Sequence, residues 1–116
     1  MSDITDEYMR EMLKIAWLYT VVILHRISKR DEPGANKIVW EHGRRNFELR
    51  RDGFLSIVGP VTSGQGDIAG ICVFSKDEKD TRRIMEGDPA VKAGIFTYDT
   101  LIMYSFPGDA LPQSNP

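Results

Sequence analysis

The sequence predicts an α+β domain: a four-stranded antiparallel sheet with two main helices on one face and a helical extension at the N-terminus. Three observations lead there. Apolar runs rich in β-branched and aromatic residues recur at 17–25, 54–61, 69–74 and 98–106, the pattern of short buried strands. Between them, 36–52 and 76–86 carry apolar residues at helical spacing and each stops at a glycine, Gly53 or Gly87. The 116 residues suffice for one hydrophobic core and are short for two.

The elements follow in order. Residues 1–15 read as an amphipathic helix on the outside of the domain, with Thr5 or Ser2 as its cap and Tyr8, Met9, Met12 and Leu13 on one face. The apolar run that follows, 15–24, is about half the roughly 20 residues that span a bilayer. Its upstream flank is acidic and no small-residue cleavage site follows, so it reads as a strand in a protein that is not exported. The polar stretch from Lys29 to Gly34 ends that strand, and 36–52 forms the main helix. Strands 54–61 and 69–74 flank the turn Thr62-Ser63-Gly64-Gln65-Gly66-Asp67 as a hairpin. Ser75 with Glu78 forms a capping-box signature for helix 76–86, whose Ile84 and Met85 face the core. Asp88-Pro89 opens one more short turn that ends at Gly94, before the last strand at 98–106 and a tail over 107–116. Within 16–106 the order is strand-helix-strand-strand-helix-strand, which is the ferredoxin-like βαββαβ arrangement.

Right-handed crossovers place both long helices on one face of such a sheet. Yet 21–24, 71–74 and 101–104 are apolar on both sides of the strand. The second face needs a cover. Another copy of the same sheet, packed face to face in a two-fold homodimer, is one cover, and the N-terminal helix is the other.

Composition narrows the function classes. Fifteen Lys and Arg against 17 Asp and Glu, a net charge of -2, give no electrostatic reason to bind nucleic acid or an anionic membrane. Cys72 is the only cysteine, so no intramolecular disulfide or cysteine metal cluster forms, in keeping with a cytoplasmic location. No ligand spacing argues for a metal, and nothing in the motifs calls for a cofactor.

The residues that carry chemistry are few. On helix 36–52, His42 shares a face with Ala35, Ile38, Val39, Asn46 and Leu49, and so points inward. Asp88 sits in Gly87-Asp88-Pro89-Ala90, far along the chain. A histidine whose tautomer is fixed by a carboxylate is the commonest acid/base unit at neutral pH. Asn46, one turn on, and Arg45 at the margin of the stripe would add a hydrogen bond or an anion contact. Against this stand plain structural roles: a core histidine satisfied by backbone, and an aspartate that merely caps a helix. Cys72, inside an apolar strand with no adjacent base, reads as an inert thiol. Gly64, Gly66 and Gly70 lead into a strand and not a helix, which suits a hairpin loop better than a phosphate loop. Trp40, Gly43 and Phe47 form a second patch on the same helix that would receive the N-terminal helix; a ligand platform is the other reading.

The series His42, Leu49, Gly53, Leu55, Gly59-Pro60, Gly70, Asp88-Pro89 and Lys92-Ala93-Gly94 resembles the YciI-like (YCII-related) domain family, over roughly 17–106. The resemblance implies a ferredoxin-like fold assembled as a dimeric α+β barrel. It also implies His42 and Asp88 as an active-site pair, with Gly59-Pro60 the turn that shapes the pocket. This chain departs from the minimal family domain in its extension over 1–14 and its continuation past the last strand. Two functions remain open: a lyase-, isomerase- or dehydrohalogenase-like enzyme acting on a small organic acid, and a non-catalytic dimer that binds a small metabolite.

Overall fold

Ten residues from Trp17 to Arg26 alternate between a core side and an open side, and this strand, β1, is the axis of the molecule. The computed structural model describes residues 2–64 and 66–113; Met1, Gln65 of the hairpin turn and the end of the tail, 114–116, lie outside the described residues. Around β1 the chain adds α1 (Asp6–Ile15), a 3-10 turn (Ser28–Asp31), α2 (Ala35–Arg51), β2 (Leu55–Pro60), β3 (Ile68–Phe74), α3 (Glu78–Glu86), α4 (Pro89–Lys92) and β4 (Phe96–Ser105). The sheet order is β2-β3-β1-β4 and every neighbouring pair is antiparallel. That is the ferredoxin-like α+β topology expected of the sequence.

The core lies between the sheet and its helices. Val22 and Leu24 from β1, Cys72 and Phe74 from β3, Leu55 from β2 and Phe96 from β4 meet Ala35 of α2, Met85 of α3 and Ala90 of α4. Each of those sheet residues lies on the same side, since side chains alternate along a strand. Their neighbours on the other side, Val21, Ile23, Ile71, Val73, Leu101 and Met103, have no cover among the described residues and are half-buried or exposed. The sheet is thus apolar on both faces, with only one face closed.

β1 and β4 pair over their full length, from Trp17 opposite Ser105 to Arg26 opposite Phe96. β3 joins β1 only from Thr20 onwards. The start of β1 and the end of β4 therefore project as a two-stranded ribbon, and α1 precedes it in the chain. Thr5 caps α1 by accepting a hydrogen bond from the Tyr8 amide at 3.0 Å. No residue of α1 is buried, and Trp40 and Phe47 remain exposed at 71% and 65%. The expectation that α1 covers that patch does not hold, because α1 buries none of its residues and both aromatic side chains stay open.

Local capping differs from expectation at one other place. Asp77, not Ser75, caps α3, accepting from the Asp80 amide at 2.8 Å. Ser75 instead donates to the carbonyl of Gly53 at 2.7 Å, tying the end of β3 to the α2–β2 turn. Gly53 itself, at φ 84°, takes the left-handed conformation that ends α2 and that a β-carbon would strain.

Candidate active site

α2 presents Ala35 and, two turns later, His42 to the sheet, and both are buried. The arrangement places His42 over β4, where the edge of its ring meets Phe96 with centroids 5.3 Å apart. Asp88 arrives from the other direction. Gly87 ends α3, and the proline after Asp88 starts α4 with its ring in the first turn, where no backbone N–H is needed. Asp88 is the N-cap of that short helix and is 1% exposed.

The two side chains meet. His42 Nδ1–H donates to Asp88 Oδ1 at 2.7 Å, the length of a charge-assisted hydrogen bond. The second carboxylate oxygen, Oδ2, accepts from the amides of Ala90 and Val91 at 2.9 and 3.2 Å. Both oxygens are occupied. Burial alone would raise the Asp88 carboxyl, but the hydrogen bond and charge of His42, with the two amides, outweigh it and hold the carboxyl below its ordinary value. With Nδ1 committed to Asp88, Nε2 is the nitrogen that carries the lone pair, and Asn46 Nδ2 donates to it at 3.3 Å.

His42 and Asn46 line a cleft of about 610 Å³. Its walls are Leu24, Val39, Val58, Val61 and Phe96, with Gly59 and Pro60 on one side and Arg26, Arg30 and Asp31 among its polar lining. Gly59 and Pro60 thus border the cleft, but not as a turn: they are the last residues of β2, paired with Ile71 and Gly70. The close packing there is visible at Gly70, where a β-carbon would come within 3.1 Å of the Gly59 carbonyl oxygen. Gly43 and Phe47 also line the cleft, so that part of the patch belongs to it and not to a docking site for α1.

Arg45 stands elsewhere. It does not line the cleft; Nη2 donates to the Ile84 carbonyl at 2.8 Å and Nη1 lies 3.9 Å from Asp88 Oδ1. The side chain that sequence suggested as an anion contact therefore backs the carboxylate from behind. Gly87 makes room for it, since a β-carbon there would approach Arg45 Nη2 to 2.9 Å.

Cys72 lines the cleft, but burial and then the Asp88 charge push its thiol up to about 12. It is an inert thiol at neutral pH. His25, on the open face of the sheet, lies between two carboxylates, with Nδ1 3.1 Å from Asp67 Oδ1 and Nε2 2.9 Å from Asp99 Oδ2. The Asp67 hydrogen bond leads the causes that raise its pKa above the ordinary histidine value. Each ring nitrogen faces a different carboxylate, so this is an ion-pair bridge and not a ligand set. Among the described residues no group of His, Cys, Asp and Glu could hold a metal ion, and no helix is long and apolar enough to cross a membrane.

Sequence reasoning missed Arg26, Arg30 and Phe96. Arg26 ends β1 and Arg30 lies in the 3-10 turn, which the packing of that turn against α2 brings to the cleft, and no local pattern marks them.

No protein-family model and no curated protein matches the chain. Among solved structures it is similar to a 5-chloro-2-hydroxyhydroquinone dehydrochlorinase from Burkholderia phenoliruptrix AC1100, solved as a complex with 2,5-dihydroxybenzoquinone, at 18% identity over 75% of this chain and 91% of that one, with a TM-score of 0.45. A likeness at that level adds nothing to the topology already described.

Proposed function

We propose that the cleft is the active site of an enzyme that moves a proton on a small organic acid, in the manner of a lyase, isomerase or dehydrohalogenase. His42 is the general base through Nε2, and Asp88 is the residue that positions it. The observation that carries this reading is the 2.7 Å hydrogen bond from His42 Nδ1 to a buried carboxylate, beside a cleft with apolar walls. A base so arranged takes a proton at Nε2, and the imidazolium that forms faces a charge already in place. Asn46 then releases Nε2 to the substrate and is free to hydrogen-bond its oxygen. Gly59 and Pro60 shape the opposite wall. The order of motifs from His42 to Gly94 supports a YciI-like domain over 16–106, with 1–15 an extension and 107–116 a tail, and the lone buried thiol suits the cytoplasm.

The test is solvent deuterium exchange at acidic C–H positions of a panel of small carboxylic acids, followed by NMR. The wild type exchanges at least one member, and His42→Ala slows that exchange by at least about 100-fold, the low end of general base contributions. Equal exchange by both proteins contradicts the assignment. One observation favours the second reading, a binding pocket without turnover: the Asn46 amide already occupies the Nε2 lone pair. Saturable binding by an acid that shows no exchange and no conversion selects that reading.

The open sheet face supports a homodimer. Val21, Ile23, Ile71, Val73, Leu101 and Met103 form one apolar surface, with Leu101 57% exposed. Contiguous surfaces of this kind mark association sites. Light scattering is expected to give about twice the chain mass of 13.2 kDa, and Leu101→Glu at the centre of β4 is expected to return the single-chain mass. A wild type at 13.2 kDa contradicts the proposal.

A further inference from the structure

We propose that Arg30, with Arg26, forms the anion subsite of the His42 cleft, and that the cleft takes a small acid with an apolar body and one carboxylate. The inference rests on reading that cleft as the acid/base site. It replaces the contact that sequence assigned to Arg45, which is spent on Ile84 and Asp88.

Both arginines line the cleft, and neither guanidinium has a carboxylate within 4.0 Å among the described residues. Each is held by one hydrogen bond only. Arg30 Nη1 donates to Asn36 Oδ1 at 2.8 Å, and Arg26 Nη2 donates to the Ile68 carbonyl at 3.3 Å. The other donors of both groups have no protein partner among the described residues. An arginine anchored at one nitrogen keeps a fork of N–H groups that matches a carboxylate, and little further ordering is needed when the anion arrives. Two arginines against the single carboxylate of Asp31 leave the lining of the cleft positive in a chain of net charge -2, and Arg30 is the less compensated of the two, since the Arg26 charge also helps to hold the carboxyl of Asp67, outside the lining, below its ordinary value. The sign there is a property of this cleft and not of the whole surface.

The rest of the lining decides the body of the ligand. Leu24, Val39, Phe47, Val58, Val61 and Phe96 are apolar, so the cleft suits a hydrophobic ring or branched chain. A sugar would leave most of its hydroxyls without partners on these walls.

Benzoate and its uncharged isostere benzamide are suitable probes, with binding followed by amide chemical shifts in the full-length protein. Benzoate is expected to bind wild type at least tenfold more tightly than benzamide, with shifts clustered at the 3-10 turn and at β2. Arg30→Gln is expected to weaken benzoate at least tenfold, Arg26→Gln to weaken it less, and Asp31→Asn to tighten it. Equal affinity for both probes, no benzoate binding by wild type, or full affinity in the Arg26→Gln/Arg30→Gln double variant overturns the proposal. The acid/base reading fails separately. His42→Ala is expected to retain benzoate, so a protein that binds benzoate through Arg30 but exchanges no C–H keeps the subsite and loses the base.

Discussion

Asp88→Ala is expected to lower the free energy of unfolding by about 3 kcal/mol, the sum of a lost helix cap of about 1 kcal/mol and about 2 kcal/mol for buried donors left without an acceptor. The carboxylate serves three donors at once: His42 Nδ1–H and the amides of Ala90 and Val91. Alanine at this position leaves all three in a site that water does not reach, since Asp88 is 1% exposed. A loss of this size in a domain of this length shifts Tm downward by about 10 °C. The pH dependence carries a definite sign. The folded carboxyl lies below its ordinary value, so the ionised group adds stability above the unfolded carboxyl pKa of about 4, and that part fades as pH falls through the folded value. Melting curves of both proteins from pH 7 down to pH 2 are expected to converge on the acid side. A constant gap would mean that the cap, and not the charge, accounts for the whole effect.

Asp88→Asn separates architecture from chemistry, and its expected effect on reactivity is the larger one. Asparagine has one side-chain oxygen where the carboxylate uses two. The two amides of α4 are fixed donors and retain that oxygen, so the cap survives and the stability loss stays within about 1 kcal/mol. The side-chain NH₂ then faces His42 Nδ1, which has to accept. The ring proton moves to Nε2, the nitrogen that has to be free. Proton abstraction is expected to fall by about 10³- to 10⁴-fold, as it does when the aspartate of a hydrolase triad is replaced by asparagine. Near-native melting with lost exchange is the signature of a tautomer switch. Exchange that survives the substitution would leave Asp88 as a cap alone.

The fold was legible because each element carries its own local signal. The Val21–Leu24 run, the glycine after α2 and the Asp88-Pro89 pair each constrain the chain within a few residues, and the βαββαβ order follows from them. The inward face of His42 was legible for the same reason, since helical periodicity places it with Ala35 and Leu49. Where two helix-start signals compete locally, reading is less secure, as at Ser75 and Asp77. Asp77 took the cap because the Ser75 hydroxyl found the Gly53 carbonyl, a contact from another part of the chain. Arg45 was misread by a similar cause. Its position at the edge of the α2 stripe is correct, but the gap left by Gly87 draws its guanidinium behind Asp88 instead of into the cleft. Arg26 and Arg30 could not be read at all, because their approach to the cleft depends on how the 3-10 turn after β1 sits against α2, and that is a tertiary fact.

The central claim is that Asp88 fixes the neutral His42 ring with its proton on Nδ1 and its lone pair at Nε2. Long-range ¹H–¹⁵N correlation of the imidazole at a pH where the ring is neutral reads this directly, with His25→Gln used to assign the two histidines. The account predicts the Nδ1–H tautomer in the wild type and the Nε2–H tautomer in Asp88→Asn. A wild-type ring protonated at Nε2, or a tautomer that Asp88→Asn leaves unchanged, would contradict it.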